Sequence, residues 1–476
     1  MTMSDPRELT SPLDELGRVH LIGVAGAGMS ALTRMLCARG VRVTGSELRD
    51  SRIVASLRAV GAVIHLGQTP DSLPSEVDTV IVSTAIRDTN AELVTARERG
   101  IRVLHRAEAL AYCMRGYQSV VVAGTHGKTT TTSMAAVALQ HSGADPSYYI
   151  GAQLNETGTN AHAGSGSVFI AESDESDGSF LVLEPLIAVV TNVEGDHLDY
   201  WGDAEGVEAG FRQFVARVPR HGLVIACADD AGARRVAAFA RQEGRRVVTY
   251  GTSDDADIRV TDVALDAAGS WFQPVVRGRK LPDVSLQIVG LHNVLNATAA
   301  LAVALEVGIG VSDAVEGLGL YSGARRRFEF KGEGDGVRVY DDYAHHHTEL
   351  RATLAAARQI AGGGRIVVAF QPLRFTRTAE FHRELGEALG LADDVVVMEV
   401  YGSNEEPIPG ATGALVAAGV PLAPENVAFE PSFSAVPQWL VERASPGDLI
   451  LTLGDGIVTT LGPEIVELLR HRQEKR

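Results

Sequence analysis

Gly124-Thr125-His126-Gly127-Lys128-Thr129-Thr130 stands between an apolar run, Ser119-Val120-Val121-Val122-Ala123, and a helix-like segment from Thr131 to Leu139. A strand that turns through glycines into a helix N-terminus makes a pocket for anionic oxygens. The backbone N–H groups point inward and the helix dipole adds partial positive charge. In such a loop the lysine reaches the terminal phosphates of a nucleotide and the following hydroxyl ligates Mg²⁺. The spacing here is G-x-x-G-K-T, shorter than the common form with four residues between the glycines. A chance Gly-Lys-Thr turn is the bland alternative. Strand, glycines, lysine, hydroxyls and helix arrive in the required order, which favours the phosphate loop. The chain has four lysines (Lys128, Lys280, Lys331 and Lys475), and one of them falls in this loop. The stretch predicts ATP or GTP binding by Gly124, Thr125, His126, Gly127, Lys128, Thr129 and Thr130, at the heart of an α/β fold.

Upstream, Val19 to Val24 reads as a buried strand, Gly26-Ala27-Gly28 as a turn and Ser30 to Ala38 as a helix. Strand candidates follow at Val41 to Glu47, Ala62 to His65 and Thr79 to Ser83. Strands alternating with helical spans imply a parallel sheet covered on both faces. Gly23, Gly26 and Gly28 are spaced G-x-x-G-x-G, a weak dinucleotide signal that still places glycines where a diphosphate could dock; an ordinary tight turn is the alternative. Ser46 and Ser83, at strand ends, join Gly26 and Gly28 as candidate nucleotide-binding residues, and Glu47 stands where a ribose hydroxyl is often bound.

Downstream of the loop, Val168 to Ala171 ends in Glu172-Ser173-Asp174-Glu175-Ser176-Asp177, and Leu186 to Asn192 ends in Val193-Glu194-Gly195-Asp196-His197. Acidic and imidazole groups at the C-terminal ends of parallel strands face the crevice where ligands bind. Glu172 suits Mg²⁺, which prefers carboxylates, hydroxyls and substrate phosphates. Asp229 to about Lys280 reads as a partly β insertion. A third α/β unit begins near Gly323, with strands at Val337 to Tyr340, Arg365 to Phe370, Asp394 to Val400 and Asp448 to Leu453, and helices at Thr348 to Ala361 and Thr378 to Leu389.

At 476 residues with 45% hydrophobic side chains, the chain can build several cores. Its net charge of −17 argues against nonspecific nucleic-acid binding. Three scattered cysteines, Cys37, Cys113 and Cys227, argue for a reducing compartment and against a disulfide framework. Met1 to Leu16 lacks an apolar signal core, and no apolar stretch is long enough to span a bilayer. The expectation is a cytoplasmic protein with no membrane insertion, a monomer or homodimer.

Six motifs in order resemble one family: Gly124 to Thr130, Glu172 to Phe180, Asn192 to Tyr200, Gly290-Leu291-His292-Asn293 with Asn296, Arg326-Arg327-Phe328, and Asp341-Asp342-Tyr343-Ala344-His345-His346. The chain resembles the Mur ligases over nearly its whole length, from about residue 15 to residue 465. The resemblance implies three domains: an N-terminal Rossmann-like UDP-sugar domain at 1–116, a central P-loop ATPase domain at 117–322 and a C-terminal Rossmann-like domain at 323–476 that closes over the site. It implies ATP and Mg²⁺, and a place in peptidoglycan precursor synthesis, hence in cell-wall growth and division. In the family, a carboxylate on the sugar nucleotide takes the γ-phosphoryl group, and the acyl phosphate, shielded from water, is attacked by an amine.

Carried over by resemblance, Lys128 stabilises the transferred phosphoryl group. Thr129 and Glu172 match ligands of one Mg²⁺, and His197 a ligand of a second. His292, Asn293 and Asn296 match a segment near nucleotide and carboxylate. Asp342, Tyr343 and His345 match a loop near ribose and the incoming amine, and Arg326 a hinge arginine facing ATP phosphates or the acyl group. Relatives that add D-glutamate or diaminopimelate often use a carbamoylated lysine after the Asp-His segment; no lysine lies between Asp196 and Lys280. With Gly26-Ala27-Gly28-Met29-Ser30 and the Glu172–Asp177 run, this points to the branch that joins L-alanine to UDP-N-acetylmuramate. A ligase recycling a whole tripeptide onto the same sugar nucleotide, or an inert nucleotide-binding regulator, are the competing readings. Three positions depart from the family pattern: His347 stands for a proline, Leu373 for a histidine, and Gly454-Asp455-Gly456-Ile457 for Gly-Ala-Gly-Asp. Arg374 and Arg377 remain to meet a carboxylate or phosphate. For His345-His346-His347 the bland alternative is a surface turn, and a tri-histidine metal site is disfavoured because consecutive residues cannot easily converge on one ion.

Overall fold

A computed structural model describes residues 12–403 and 405–475. The first residues of the stretch expected to lack a signal core, 1–11, lie outside the described residues. Three sheets form, matching the expected α/β class. Two compact units hold them, one comprising residues up to Gln153, Thr157–Ile258 and Ala299–Gly317, the other Leu154–Glu156, Arg259–Thr298 and Leu318 onward.

The first unit begins with a five-stranded parallel sheet: β1 (Val19–Ile22), β2 (Val43–Glu47), β3 (Val63–Leu66), β4 (Thr79–Val82) and β5 (Arg102–His105), in the order β3-β2-β1-β4-β5. The order reverses between β1 and β4, which opens a crevice beyond their C-terminal ends. β1 is shorter than its apolar run because Gly23 turns to φ +77°. The expected turn at Gly26-Ala27-Gly28 shrinks to Gly26, since the helix Ala27–Ala38 starts early and takes Gly28 into its first turn.

The second sheet carries the phosphate loop. Its strands in this unit are β6 (Gln118–Ala123), β7 (Ser147–Tyr149), β8 (Ala161–His162), β9 (Val168–Glu172), β10 (Ile187–Val190), β11 (Leu223–Cys227) and β12 (Arg246–Gly251), in the order β12-β11-β10-β6-β9-β7-β8. β6 sits between β9 and β10, parallel to both. The loops after all three strands therefore gather at one edge, which is why motifs far apart in sequence meet. The helix Lys128–His141 begins three residues before the expected Thr131. Four consecutive threonines are weak helix formers, but Thr129 to Leu139 are all buried, and packing overrides propensity. The expected β insertion opens with a helix, Ala231–Gln242, capped by the Asp230 carboxylate on Ala233 N–H at 2.6 Å. Cys37, Cys113 and Cys227 are free thiols.

In the second unit, β13 (Ile258–Asp266) leads to β14 (Gly269–Val276), which pairs antiparallel with β15 (Arg279–Lys280) and β16 (Val284–Leu286). The third sheet follows: β17 (Glu329–Gly334), β18 (Val337–Asp342), β19 (Ile366–Phe370), β20 (Asp394–Val397), β21 (Val427–Phe429) and β22 (Leu449–Leu453), ordered β17-β18-β22-β19-β20-β21. β17 is the antiparallel edge. Side chains alternate across β19: Ile366, Val368 and Phe370 join one core with Leu350, Leu354 and Leu385, while Val367 and Ala369 join the other with Leu440, Leu461 and Ile465. The strand expected to reach Val400 stops at Val397. Among the described residues, no helix is long and apolar enough to cross a membrane.

Candidate functional site

The loop after β6 is shaped by two glycines with positive φ, Gly124 at +142° and Gly127 at +81°. A Cβ on Gly124 would lie 1.9 Å from Thr191 Oγ1, so the loop can approach the end of β10 only with glycine there. β10's continuation holds it: Thr125 N–H donates to Asn192 O at 3.1 Å, His126 N–H to Asn192 Oδ1 at 2.8 Å, and Thr191 Oγ1 to His126 O at 2.6 Å. Gly127 is the N-cap of the helix Lys128–His141 and offers it no side-chain oxygen. An N-terminus without a side-chain cap suits a bound anion.

Thr129 Oγ1 donates to Glu172 Oε1 at 2.8 Å, and Gly151 N–H donates to Glu172 Oε2 at 2.6 Å. A hydroxyl and a carboxylate this close, beside a phosphate loop, form a donor set that fits Mg²⁺. Lys128 Nζ donates to Gly124 O at 2.6 Å, Thr125 O at 3.1 Å and Glu175 Oε1 at 2.9 Å. Burial alone would draw the Lys128 ammonium down, but Glu175, Asp174 and Glu172 outweigh it and hold the pKa above its ordinary value. Burial pushes the Glu175 carboxyl up to about 7, against the pull of Lys128. His197 follows β10, in the left-handed region at φ 54°, with Nε2 3.6 Å from Asp196 Oδ2. His126 Nε2 lies 3.4 Å from Glu194.

Within the same unit, the end of β5 approaches the Glu172–Asp177 run. Arg106 Nη2 donates to Asp174 at 2.8 Å, and His105 lies 3.7 Å from Asp177. A Cβ on Gly28 would be 2.5 Å from Tyr149 Oη and 3.4 Å from Arg106 Nη1, so Gly28 admits both side chains to the head of the helix Ala27–Ala38. Asn160 Nδ2 donates to Ala27 O at 2.9 Å. Gly26 and Gly28 follow β1 and Ser83 follows β4, the two strands whose C-terminal ends flank the crevice. Ser46 is turned away from it: fully buried, its hydroxyl donates to Glu92 at 2.5 Å. The Glu47 carboxylate accepts from Ala25 N–H at 2.9 Å and Leu48 N–H at 2.8 Å.

The second unit holds the remaining candidates. His292 lies at the head of the helix Leu291–Glu306, and burial pushes its imidazole down to about 4, so it is neutral. Asn293 Nδ2 donates to Val289 O at 2.8 Å, and Asn296 Nδ2 to Asn293 Oδ1 at 3.4 Å. Asp342 ends β18 and accepts from Phe328 N–H at 2.7 Å and Ala344 N–H at 2.8 Å; burial pushes it up to about 6. Arg326, at φ +60°, donates to Asp455 O at 2.9 Å and to Gly454 O, with Nε 3.5 Å from Asp341. Its guanidinium, stacked 4.9 Å from the Tyr343 ring, binds the Gly454–Ile457 loop. That departing loop is therefore fastened by Arg326. His345 Nδ1 lies 3.0 Å from Tyr343 O.

The three histidines are not the expected surface turn. His346 is 1% exposed and leads into the helix His347–Ala361, where Glu349 accepts from His345 N–H at 3.0 Å and His346 N–H at 3.2 Å. The helix starts at His347 without the proline because Glu349 answers the leading N–H groups. Leu373 is buried and bridges Tyr401; Arg374 pairs with Glu405 at 3.4 Å.

Models of the Mur ligase family, catalytic domain, of the Mur ligase middle domain and of the Mur ligase, glutamate ligase domain match residues 18–118, 122–304 and 326–456. Over 462 residues, 97% of either chain, the sequence is 54% identical to the UDP-N-acetylmuramate–L-alanine ligase of Acidothermus cellulolyticus. The chain belongs to the Mur ligase family. This Mur ligase is also 49% identical, over 98% of its length and all of the relative's, to the UDP-N-acetylmuramate–L-alanine ligase of Thermobifida fusca. Among solved structures it is similar to UDP-N-acetylmuramate-alanine ligase from Thermotoga maritima, with a TM-score of 0.79 at 27% identity over 96% of this chain and 100% of the other.

Sequence reasoning singled out the ligase's Glu172–Asp177 run without separating Glu175, the residue that meets Lys128. It also passed over His105, Arg106 and Tyr149. Arg106 follows β5, a strand hidden in a short, mixed segment, Arg102-Val103-Leu104-His105. A cation just past that strand was the available signal.

Proposed function

We infer that this Mur ligase joins L-alanine to the lactyl carboxylate of UDP-N-acetylmuramate, in peptidoglycan precursor synthesis in the cytoplasm. One observation supports the chemistry most: Lys128 and Thr129 stand at the head of one helix, and Glu172, the last residue of the neighbouring strand β9, accepts from the Thr129 hydroxyl at 2.8 Å. A carboxylate is a poor electrophile, since its leaving group would be oxide. Its oxygen therefore attacks the γ-phosphorus of ATP, the bond to the bridging oxygen breaks and ADP leaves. The amine of L-alanine then attacks the acyl carbon, the C–O bond to phosphate breaks, and the amine loses a proton.

Lys128 and the loop N–H groups bind the triphosphate and meet the charge on the transferred group. Thr129 and Glu172 would hold one Mg²⁺ and His197 a second, ions that would supply further charge neutralisation. Gly26, Gly28 and Ser83 take the sugar nucleotide. In the second unit, Asn296 and Asp342 face nucleotide; His292, Asn293, Arg326 and His345 serve the acyl group and amine, His292 as a neutral imidazole. We retain the three-domain division at 116 and 322 for these roles.

ADP release measured with UDP-N-acetylmuramate and single amino acids tests the reading. L-alanine should give the fastest turnover. Glycine, D-glutamate or the tripeptide L-Ala-γ-D-Glu-diaminopimelate outrunning it would overturn the assignment.

A further inference from the structure

The Lys128 ammonium has three protons and three acceptors, two of them carbonyls of the loop itself, Gly124 O at 2.6 Å and Thr125 O at 3.1 Å. The third is Glu175, whose two carboxylate oxygens both lie 2.9 Å from Nζ. A phosphate oxygen can gain an ammonium proton only by displacing one of the three. The carbonyls move only if the loop refolds, so the carboxylate is the partner that gives way.

Glu175 is not on a loose arm. Its backbone carbonyl accepts from Trp201 Nε1 at 2.9 Å and from Gly178 N–H at 3.2 Å, and the Tyr200 hydroxyl packs against Gly178, where a Cβ would come within 2.4 Å. The residue is 3% exposed, and among the described residues Oε2 has no donor other than the ammonium beside it. Its neutralisation therefore depends on Lys128. Pulling the ammonium away leaves a buried carboxyl beside Asp174 that must either keep an unpaired charge or take up a proton, and that cost is subtracted from the gain of binding a nucleotide.

Resting on the ATP-dependent reading above, we propose that Glu175 is a stand-in for the terminal phosphoryl group: it holds Lys128 in the nucleotide-free loop, is displaced by a triphosphate, and sets the apparent nucleotide affinity. Glu175 is a positioning residue, acting through Lys128. When the phosphoryl group has left, the carboxylate can take the ammonium back, which favours release of the shortened nucleotide.

The test is calorimetric binding of adenylyl imidodiphosphate and of ADP to the full-length chain, with Mg²⁺ and no other substrate. Glu175→Gln keeps the side chain's shape and one acceptor while removing its charge. It should bind the triphosphate analogue about tenfold more tightly, with a smaller change for ADP. In a Lys128→Ala background the same substitution should change nothing, because no ammonium is left to compete for. Unchanged or weaker analogue binding by a Glu175→Gln protein whose melting temperature matches the parent would overturn the proposal, as would an equal gain in the Lys128→Ala background. Steady-state kinetics should show a fall in KM for ATP without a matching rise in kcat. The binding arm uses neither sugar nucleotide nor amino acid. A tightened analogue with no alanine-dependent turnover would sink the proposed reaction and leave this inference standing.

Discussion

Lys128 and Gly124 divide the work of the phosphate loop between charge and space. Lys128 brings the ammonium, and no other lysine lies in the first unit. Lys128→Ala should lower ATP turnover by well over a hundredfold, the scale seen when a group stabilising transition-state charge is removed, as read by steady-state ADP release. Gly124 supplies room. A methyl group there meets Thr191 Oγ1 and carries the strain of φ +142°. Gly124→Ala should therefore lose about 2 kcal/mol or more of stability, measured by urea unfolding, besides losing nucleotide binding. Both residues were legible in the sequence, because loop chemistry is local: glycine, lysine and hydroxyl follow one another in seven residues. Glu175 as the partner of Lys128 was not legible in that way, since a run of four acidic residues does not announce which one turns inward.

At the level of strands and helices, parallel pairing decides which motifs meet. β6 lies between β9 and β10, so the loop at 124–130 is flanked by Glu172 on one side and by Thr191 and Asn192 on the other. The N-terminal sheet is tied in a comparable way by a polar element inside its core. Glu92, fully buried on the helix Ala91–Glu98, accepts from Ser46 Oγ on β2 and lies 3.1 Å from His20 Nε2 on β1. The Ser46 carbonyl in turn accepts from Gly23 and Val24 N–H, at 3.0 and 3.1 Å, at the start of the glycine turn. Glu92→Leu would leave the buried Ser46 hydroxyl and the Nε2 of the buried His20 without their acceptor, while His20 Nδ1 keeps Thr44 Oγ1 at 2.9 Å. The expected loss is on the order of 3 kcal/mol, seen as a lower urea midpoint with an unchanged slope. The KM for the sugar nucleotide should rise with it. Ser46 reads as a ligand contact because it lies next to the end of a strand in the right place; its inward direction follows from β2's alternation against the helix, which one sequence does not display.

For the molecule as a whole, the stability–pH relation carries a signature of the desolvation of the half-buried His292. Its imidazole is pushed down to about 4, below its ordinary value in an unfolded chain. Between those two values the unfolded chain binds a proton that the folded chain does not, so stability rises with pH across that window. The contribution is present in full above about pH 6.5 and is lost as pH falls through about 4, to a limit on the order of 3 kcal/mol. The raised carboxyls of Glu175 and Asp342 act in the opposite sense over this range, so the component is read as the difference between parent and His292→Gln in urea unfolding at pH 7 and pH 4.5. An undiminished pH slope in that variant would count against a neutral, desolvated imidazole. The three α/β modules, the parallel class and the phosphate loop follow from the sequence by itself, because apolar runs, glycine spacing and helix starts are properties of neighbouring residues. The pairing of Lys128 with Glu175, the inward turn of Ser46, the grip of Arg326 on the Gly454–Ile457 loop and the burial of His346 were decided only by the tertiary structure. Each depends on which strand lies beside which, and a contact across tens or hundreds of residues leaves no local trace in the chain that makes it.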